Sequence, residues 1–200
     1  MNEIPNVLQC YSVILNREIT VADSNMARPA GISGFTAIYE AHMAYVFRYI
    51  NYRVGNRSEA EDLTSVVFEK ALAAFDRYDS RKSAPQTWLL SIARNTVTDH
   101  LRKSSKRKAM PLDDVVGIES ADPSPSEATE IIEEYERLQL CLSVLPQREQ
   151  EIISLKFGGE LNNRQIATVV GLSENNVGTI LFRAIGKLRK CFEGWSNEKR

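Results

Sequence analysis

The sequence predicts an all-α protein of two helical domains: an N-terminal bundle of three to four helices and a C-terminal helix-turn-helix domain, joined by an acidic flexible linker. Three observations lead there. Apolar residues recur at three- and four-residue steps in both halves, the mark of amphipathic helices. No strand-like alternation of useful length occurs. A stretch rich in proline, serine and acid separates the halves and holds too few apolar residues to fold alone.

The 200 residues are 43% hydrophobic and 26% charged, an ordinary globular composition. No run approaches the roughly 20 apolar residues of a membrane-spanning helix. The N-terminus lacks a basic region followed by an apolar core, so no secretory signal is expected and the location is read as cytoplasmic. Cys10, Cys141 and Cys191 are widely spaced and form no CxxC pair, which reads as free thiols in a reducing compartment. Neither a metal site nor a cofactor is expected. The net charge is −1, yet it is strongly segregated. Six cations (Arg94, Arg102, Lys103, Lys106, Arg107, Lys108) precede nine carboxylates between Pro111 and Glu136, and Arg183, Lys187, Arg189 and Lys190 follow near the end. Polyanion binding responds to such local blocks more than to the sum.

Residues 1–33 show no sustained periodicity and read as a poorly ordered extension. The first domain, 34–104, opens with Phe35, Ile38, Tyr39, His42, Val46, Phe47 and Ile50 on one helix face, followed by a break from Asn51 to Arg57. Ser58 and Glu61 have capping-box spacing at the head of a second helix bearing Leu63, Val66, Val67, Ala71, Ala74 and Phe75. After a loop from Asp79 to Ala84, Ser83 is read as the cap of a third helix. Pro85 is tolerated in its first turn, and Trp88, Leu89, Ile92, Val97 and Leu101 form its stripe. Residues 105–130 are the linker. The second domain, 131–195, resumes with Ile131, Ile132, Tyr135, Leu138 and Leu142. Pro146 then starts a helix with Ile152, Ile153 and Leu155 as core candidates.

The sharpest local signal is a helix-turn-helix over 163–183. Asn163 to Val170 makes the first helix, Gly171 sits where the chain must reverse, and Ser173 can cap the second. Ala167, Gly171 and Val177 have the spacing of its three sterically constrained positions. Glu174, Asn175, Asn176, Thr179 and Arg183 then face outward, where amides suit adenine edges and arginine suits guanine or phosphate. Arg164 on the first helix, Ser173 at the helix start and Lys187 further along are the remaining contact candidates. A plain helical hairpin would share the periodicity; the Ala–Gly–Val spacing and the basic tail favour the DNA reader. Gly178, Ile180 and Gly186 lie inside the second helix, where each glycine costs about 1 kcal/mol relative to alanine, which leaves Ser173 to Asn176 as the main base-reading segment.

Several separated motifs resemble sigma factors of the extracytoplasmic-function class. They are Phe35-Thr36-Ala37-Ile38-Tyr39-Glu40, the run Glu59 to Ala71, the run Trp88 to Lys103, Leu145-Pro146-Gln147-Arg148-Glu149 and Gly171 to Val177. The resemblance implies a first domain that melts promoter DNA and binds core RNA polymerase through its large beta-prime and beta subunits, and a second that reads the −35 element. An anti-sigma partner is implied as well. On that basis Glu59, Glu61, Asp62 and Glu69 form an acidic rim around Leu63, Val66 and Phe68 that suits a basic helical partner. The same carboxylates also fit a solvated, dipole-stabilised first turn. Arg94, Asn95, Asp99, Arg102 and Lys103, with Arg81 and Lys82 in the preceding loop, become contacts to the melted −10 strand. Trp88 is included there as a stacking candidate, although its place on the apolar stripe favours core packing. The acidic linker suits either a segment threading the polymerase cleft or a solvated spacer.

Two other classes fit less well. A response regulator or repressor could end in such a helix-turn-helix but would bring an α/β receiver or a ligand pocket, and no strand pattern is present. An enzyme would need chemistry that the sequence does not arrange: His42 and His100 lie on helices without a paired carboxylate, and no phosphate-cradling glycine loop exists.

Overall fold

A computed structural model describes residues 32–108 and 136–198, and the statements that follow concern those residues. Residues 1–31 of the expected N-terminal extension and most of the expected linker lie outside them, whereas residues 32 and 33 already belong to the first helix. All regular elements among them are helical. They are α1 (Ile32–Val54), α2 (Arg57–Ala74) ending in a 3₁₀ turn (Phe75–Arg77), α3 (Pro85–Lys108), α4 (residues 136–143), α5 (Gln147–Ile153) ending in a π turn (Ser154–Gly158), α6 (Asn163–Val170) and α7 (Glu174–Glu198).

The first three helices pack around Phe35, Val46, Phe47 and Ile50 of α1, Leu63, Val67 and Phe68 of α2, and Leu89, Leu90, Ala93 and Val97 of α3. Phe35 meets Phe68 and Phe75 edge to face, with centroids 6.5 and 5.3 Å away. These are favoured aromatic arrangements. Helix α1 does not break at Asn51 but runs to Val54. Asn51, Tyr52 and Arg53 are buried because this last turn packs on the second domain. The true break is Gly55, whose φ of +71° few side chains tolerate. The cap of α2 is Asn56, whose side chain accepts from Glu59 N at 2.9 Å, rather than Ser58, and Glu61 pairs with Arg57 instead. Nor does the Ser83 side chain cap α3. Its hydroxyl donates to Ala84 O, and Ala84 O accepts the first helical bond from Trp88 N. Helix α3 continues past residue 104 to Lys108.

In the second group, Leu138, Leu142, Ile152, Ile153, Leu155, Ile166, Val170, Val177, Leu181, Ala184 and Leu188 are buried together. Cys141 and Cys191 are not free thiols: they form a disulfide across 50 residues of chain, joining α4 to the far part of α7. The sequence could not reveal this, because only the packing of the helices brings the two sulfurs together. The two groups also meet. Helix α1 packs on the π turn and α3 packs on α6, so their buried residues form one continuous cluster.

Closing a 50-residue loop restricts the unfolded chain by about 4 kcal/mol in a chain-entropy estimate. Reduction with dithiothreitol, or Cys191→Ser, should therefore lower Tm by roughly 10 °C, and reductant should not shift the Cys191→Ser variant further. An unchanged Tm on reduction would show that the bridge adds no stability.

Candidate nucleic-acid interface

The α6–α7 unit is built from short-range chemistry. Asn162 and Gln165 form a reciprocal capping box at 2.9 Å in both directions, which satisfies two otherwise orphaned amides of α6. Gly171 adopts φ +68°, ψ 40°, and the Gly171 and Leu172 amides both donate to Ala167 O. Ser173 Oγ then accepts from Asn176 N at 3.3 Å. Val177 is fully buried and Ala167 nearly so, which fixes the crossing of the two helices.

This leaves Ser173, Glu174, Asn175, Asn176, Thr179 and Arg183 exposed, with Arg164 exposed on α6. Thr179 donates its hydroxyl hydrogen to Asn175 O, which leaves its methyl for an outside partner. Lys187 is held by Glu149 of α5 at 2.7 and 3.0 Å. Sequence reasoning missed Phe182. It is 81% exposed and follows Asn175 and Thr179 at the i, i+4, i+7 spacing of one helix face. The three residues line a shallow depression with Asn163, Glu174 and Gly178. An apolar residue at a polar-face position was the available signal.

On the first domain the candidates separate into distinct environments. Asn95, Asp99, Arg102 and Lys103 are exposed along one face of α3, with Arg102 paired to Asp99 at 3.1 Å. Arg94 points elsewhere: its Nε donates to Glu151 of α5 at 2.8 Å. Trp88 is half-buried against Tyr78 and Phe75, at centroid distances of 4.5 and 6.5 Å, which favours the packing alternative. In the preceding loop Arg81 grips Asp79 through its guanidinium and its backbone amide. Those bonds, the side-chain one foremost, hold the Asp79 carboxyl down to about 2. Lys82 stays exposed.

The expected acidic rim around an apolar centre on α2 needs correction. Asp62, Glu61 and Glu69 are exposed, but Leu63 and Phe68 belong to the core and Val66 is only half-buried. The exposed apolar groups nearby are Leu72 at 52% and Tyr39 at 41%, the latter resting on the Phe68 ring at 4.7 Å. Glu59 pairs with His100 at 2.6 Å, so that histidine does have a carboxylate partner. This hydrogen bond joins α2 to α3. His42 is half-buried, and burial pushes its pKa below the ordinary histidine value.

A cationic helical bundle followed by a helix-turn-helix domain is the architecture of a two-domain transcription initiation factor of the sigma class. Residues 38–107 match the model of Sigma-70 region 2, and residues 141–190 match that of Sigma-70 region 4. The Bacillus subtilis ECF RNA polymerase sigma factor SigM is 31% identical over 164 residues, which are 81% of this chain and 97% of SigM. The Streptomyces coelicolor ECF RNA polymerase sigma factor BldN is 30% identical over 166 residues; these span 82% of this chain and 62% of BldN. The chain belongs to the ECF RNA polymerase sigma factors, a family of transcription initiation factors rather than enzymes. The fold is similar to that of RpoE in its complex with the anti-sigma factor NepR from Bartonella quintana, with a TM-score of 0.63 over 81% of this chain and 98% of that one at 17% identity. CnrH in complex with the cytosolic domain of CnrY gives 0.61 over 94% and 98% at 16% identity. Among the described residues no helix is long and apolar enough to cross a membrane.

Replacing Asn175 or Phe182 by alanine should alter the upstream sequence recovered from a randomised-promoter selection. The expected cost is about 1–3 kcal/mol at a base pair that loses a paired or methyl contact. An unaltered consensus would remove that residue from base readout.

Proposed function

We propose that this chain binds core RNA polymerase, directs it to promoters through the exposed face of α7, and helps open the −10 element with the exposed face of α3. The observation that carries the reading is the pairing of two faces of matching chemistry on one chain. Asn175, Asn176, Thr179 and Phe182 project from a capped helix that follows a left-handed turn, the geometry that presents side chains to a major groove. Asn95, Arg102 and Lys103 line an exposed cationic face on α3 that suits a single strand, with Lys82 near the start of that helix. Arg81 and Lys82 supply charge at the loop where an unstacked base would need a pocket.

Polymerase docking is assigned to the exposed face of α2, where Asp62 and Glu69 accompany Leu72. Carboxylates flanking apolar groups suit a basic helical partner: the apolar area supplies affinity and the charges supply register and on-rate. Anti-sigma control is proposed from the family, and the RpoE of similar fold was solved with the anti-sigma factor NepR.

Core polymerase mixed with the purified chain should transcribe from a promoter that core polymerase alone ignores. Tight binding to duplex DNA by the chain alone, with no stimulation of polymerase, would favour a repressor instead. Asp62→Arg should weaken polymerase binding about tenfold in a competition assay, roughly the 1.4 kcal/mol of one docking charge. The variant's melting curve should match the parent's, since Asp62 is exposed. Equal polymerase affinity would remove this face from the docking surface.

A further inference from the structure

We infer that the cavity bounded by the end of α1, the middle of α3 and the start of α5 is a binding site for a small tetrahedral oxyanion, of which inorganic phosphate is the fitting member.

The cavity measures about 220 Å³ and is lined by Arg53 of α1, Arg94 and Thr98 of α3, and Gln147, Arg148 and Glu151 of α5. Three guanidinium groups therefore share it with a single carboxylate. Glu151 is 5% exposed and engaged at both oxygens, accepting from Arg94 at Oε1 and from Arg148 at Oε2, each at 2.8 Å. Arg53 has no carboxylate partner among the described residues. Its Nη1 donates to the neutral amide oxygen of Gln150 at 3.0 Å, and its Nε–H is buried with no acceptor among those residues. Only 7% of Arg53 is exposed, so water does little to solvate the charge. A guanidinium carries N–H donors on all three nitrogens and accepts nothing, and a buried charge is stable only beside an opposite one or a full set of hydrogen bonds. The missing partner is an anion.

Size and donor geometry narrow the class. Pockets that hold organic molecules run to about 300–1,000 Å³, so this cavity admits an inorganic ion with part of its hydration shell and excludes a nucleotide. Arginines present paired N–H groups that match the oxygens of phosphate. The Thr98 hydroxyl and the Gln147 amide add neutral donors at the same walls. A halide could balance the charge but could not use so many directed hydrogen bonds. With Glu151 in place, two cations remain in excess, which is the charge of hydrogen phosphate. The side chains of Arg94 and Arg148 are 29% and 40% exposed, so the ion has a way in from solvent.

The test is a phosphate titration of the full chain, read by thermal melting and by isothermal titration calorimetry against sodium chloride of matched ionic strength. About 10 mM inorganic phosphate should raise Tm by roughly 3–8 °C, as a ligand present at roughly ten to a hundred times its Kd does. Sulfate, of the same shape, should reproduce the rise. ADP, which carries its phosphoryl groups on a body too large for the cavity, should not. Arg148→Gln should weaken phosphate binding about tenfold, the loss of one charge-assisted hydrogen bond. Thr98→Asp sets a carboxylate in the wall at an exposed position, where aspartate has about the helix propensity of threonine. It should abolish the response while melting in chloride no lower than the parent, and it decides alone should Arg148→Gln fail to give a cooperative melt. Arg189→Gln, which removes an exposed cation outside the cavity, should respond as the parent does. A rise no larger in phosphate than in matched chloride would overturn the site. So would an undiminished rise in Thr98→Asp, or an equal loss of response in Arg189→Gln, which would mean general anion screening. A stronger response to ADP than to phosphate would overturn the free ion as the occupant.

Discussion

Helix α1 lies so close to Gly158, and Leu90 of α3 so close to Gly159, that neither glycine has room for a side chain. Much else follows from that approach. It buries the last turn of α1, which keeps Asn51, Tyr52 and Arg53 helical where their polarity reads as a break. It brings Arg48 into a cleft where Glu160 and a backbone carbonyl satisfy it. It also merges two sets of apolar residues into one cluster, although each set has its own helices and its own local logic.

The helix-turn-helix depends little on that contact. Its cap, its left-handed turn and its packed Ala167–Val177 crossing are all settled within residues 162–177. The disulfide reinforces this independence, since Cys141 and Cys191 both belong to the second group of helices.

The parts legible in the sequence are those decided locally. Gly171, Ser173 and the Asn163–Val170 helix declare themselves because turn and cap chemistry needs particular residues within one or two helical turns. The all-α class was legible for the same reason, periodicity being a local property. Asn56 displaced Ser58 as a cap because both residues qualify chemically and only the geometry of the turn after Gly55 decides between them. The partners of Arg94 and His100, at 57 and 41 residues' distance, depend on which helices pack together, and no spacing encodes that. The same holds for the cysteine pair. Phe182 escaped notice because hydrophobicity is read as burial, whereas this side chain stands on the outer face of its helix. Leu63 and Phe68 erred the other way, assigned to a surface though they complete the core.

Many of the cations assigned to DNA already hold a carboxylate: Lys187 with Glu149, Arg102 with Asp99, Arg81 with Asp79, Arg94 with Glu151. When such a side chain moves to a phosphate it exchanges one anion for another, and the carboxylate it leaves gathers cations from solution. The ions released from the duplex are then partly recaptured by the protein. Were these the cations that meet promoter phosphates, the salt dependence of binding would be shallower than a count of lysines and arginines implies.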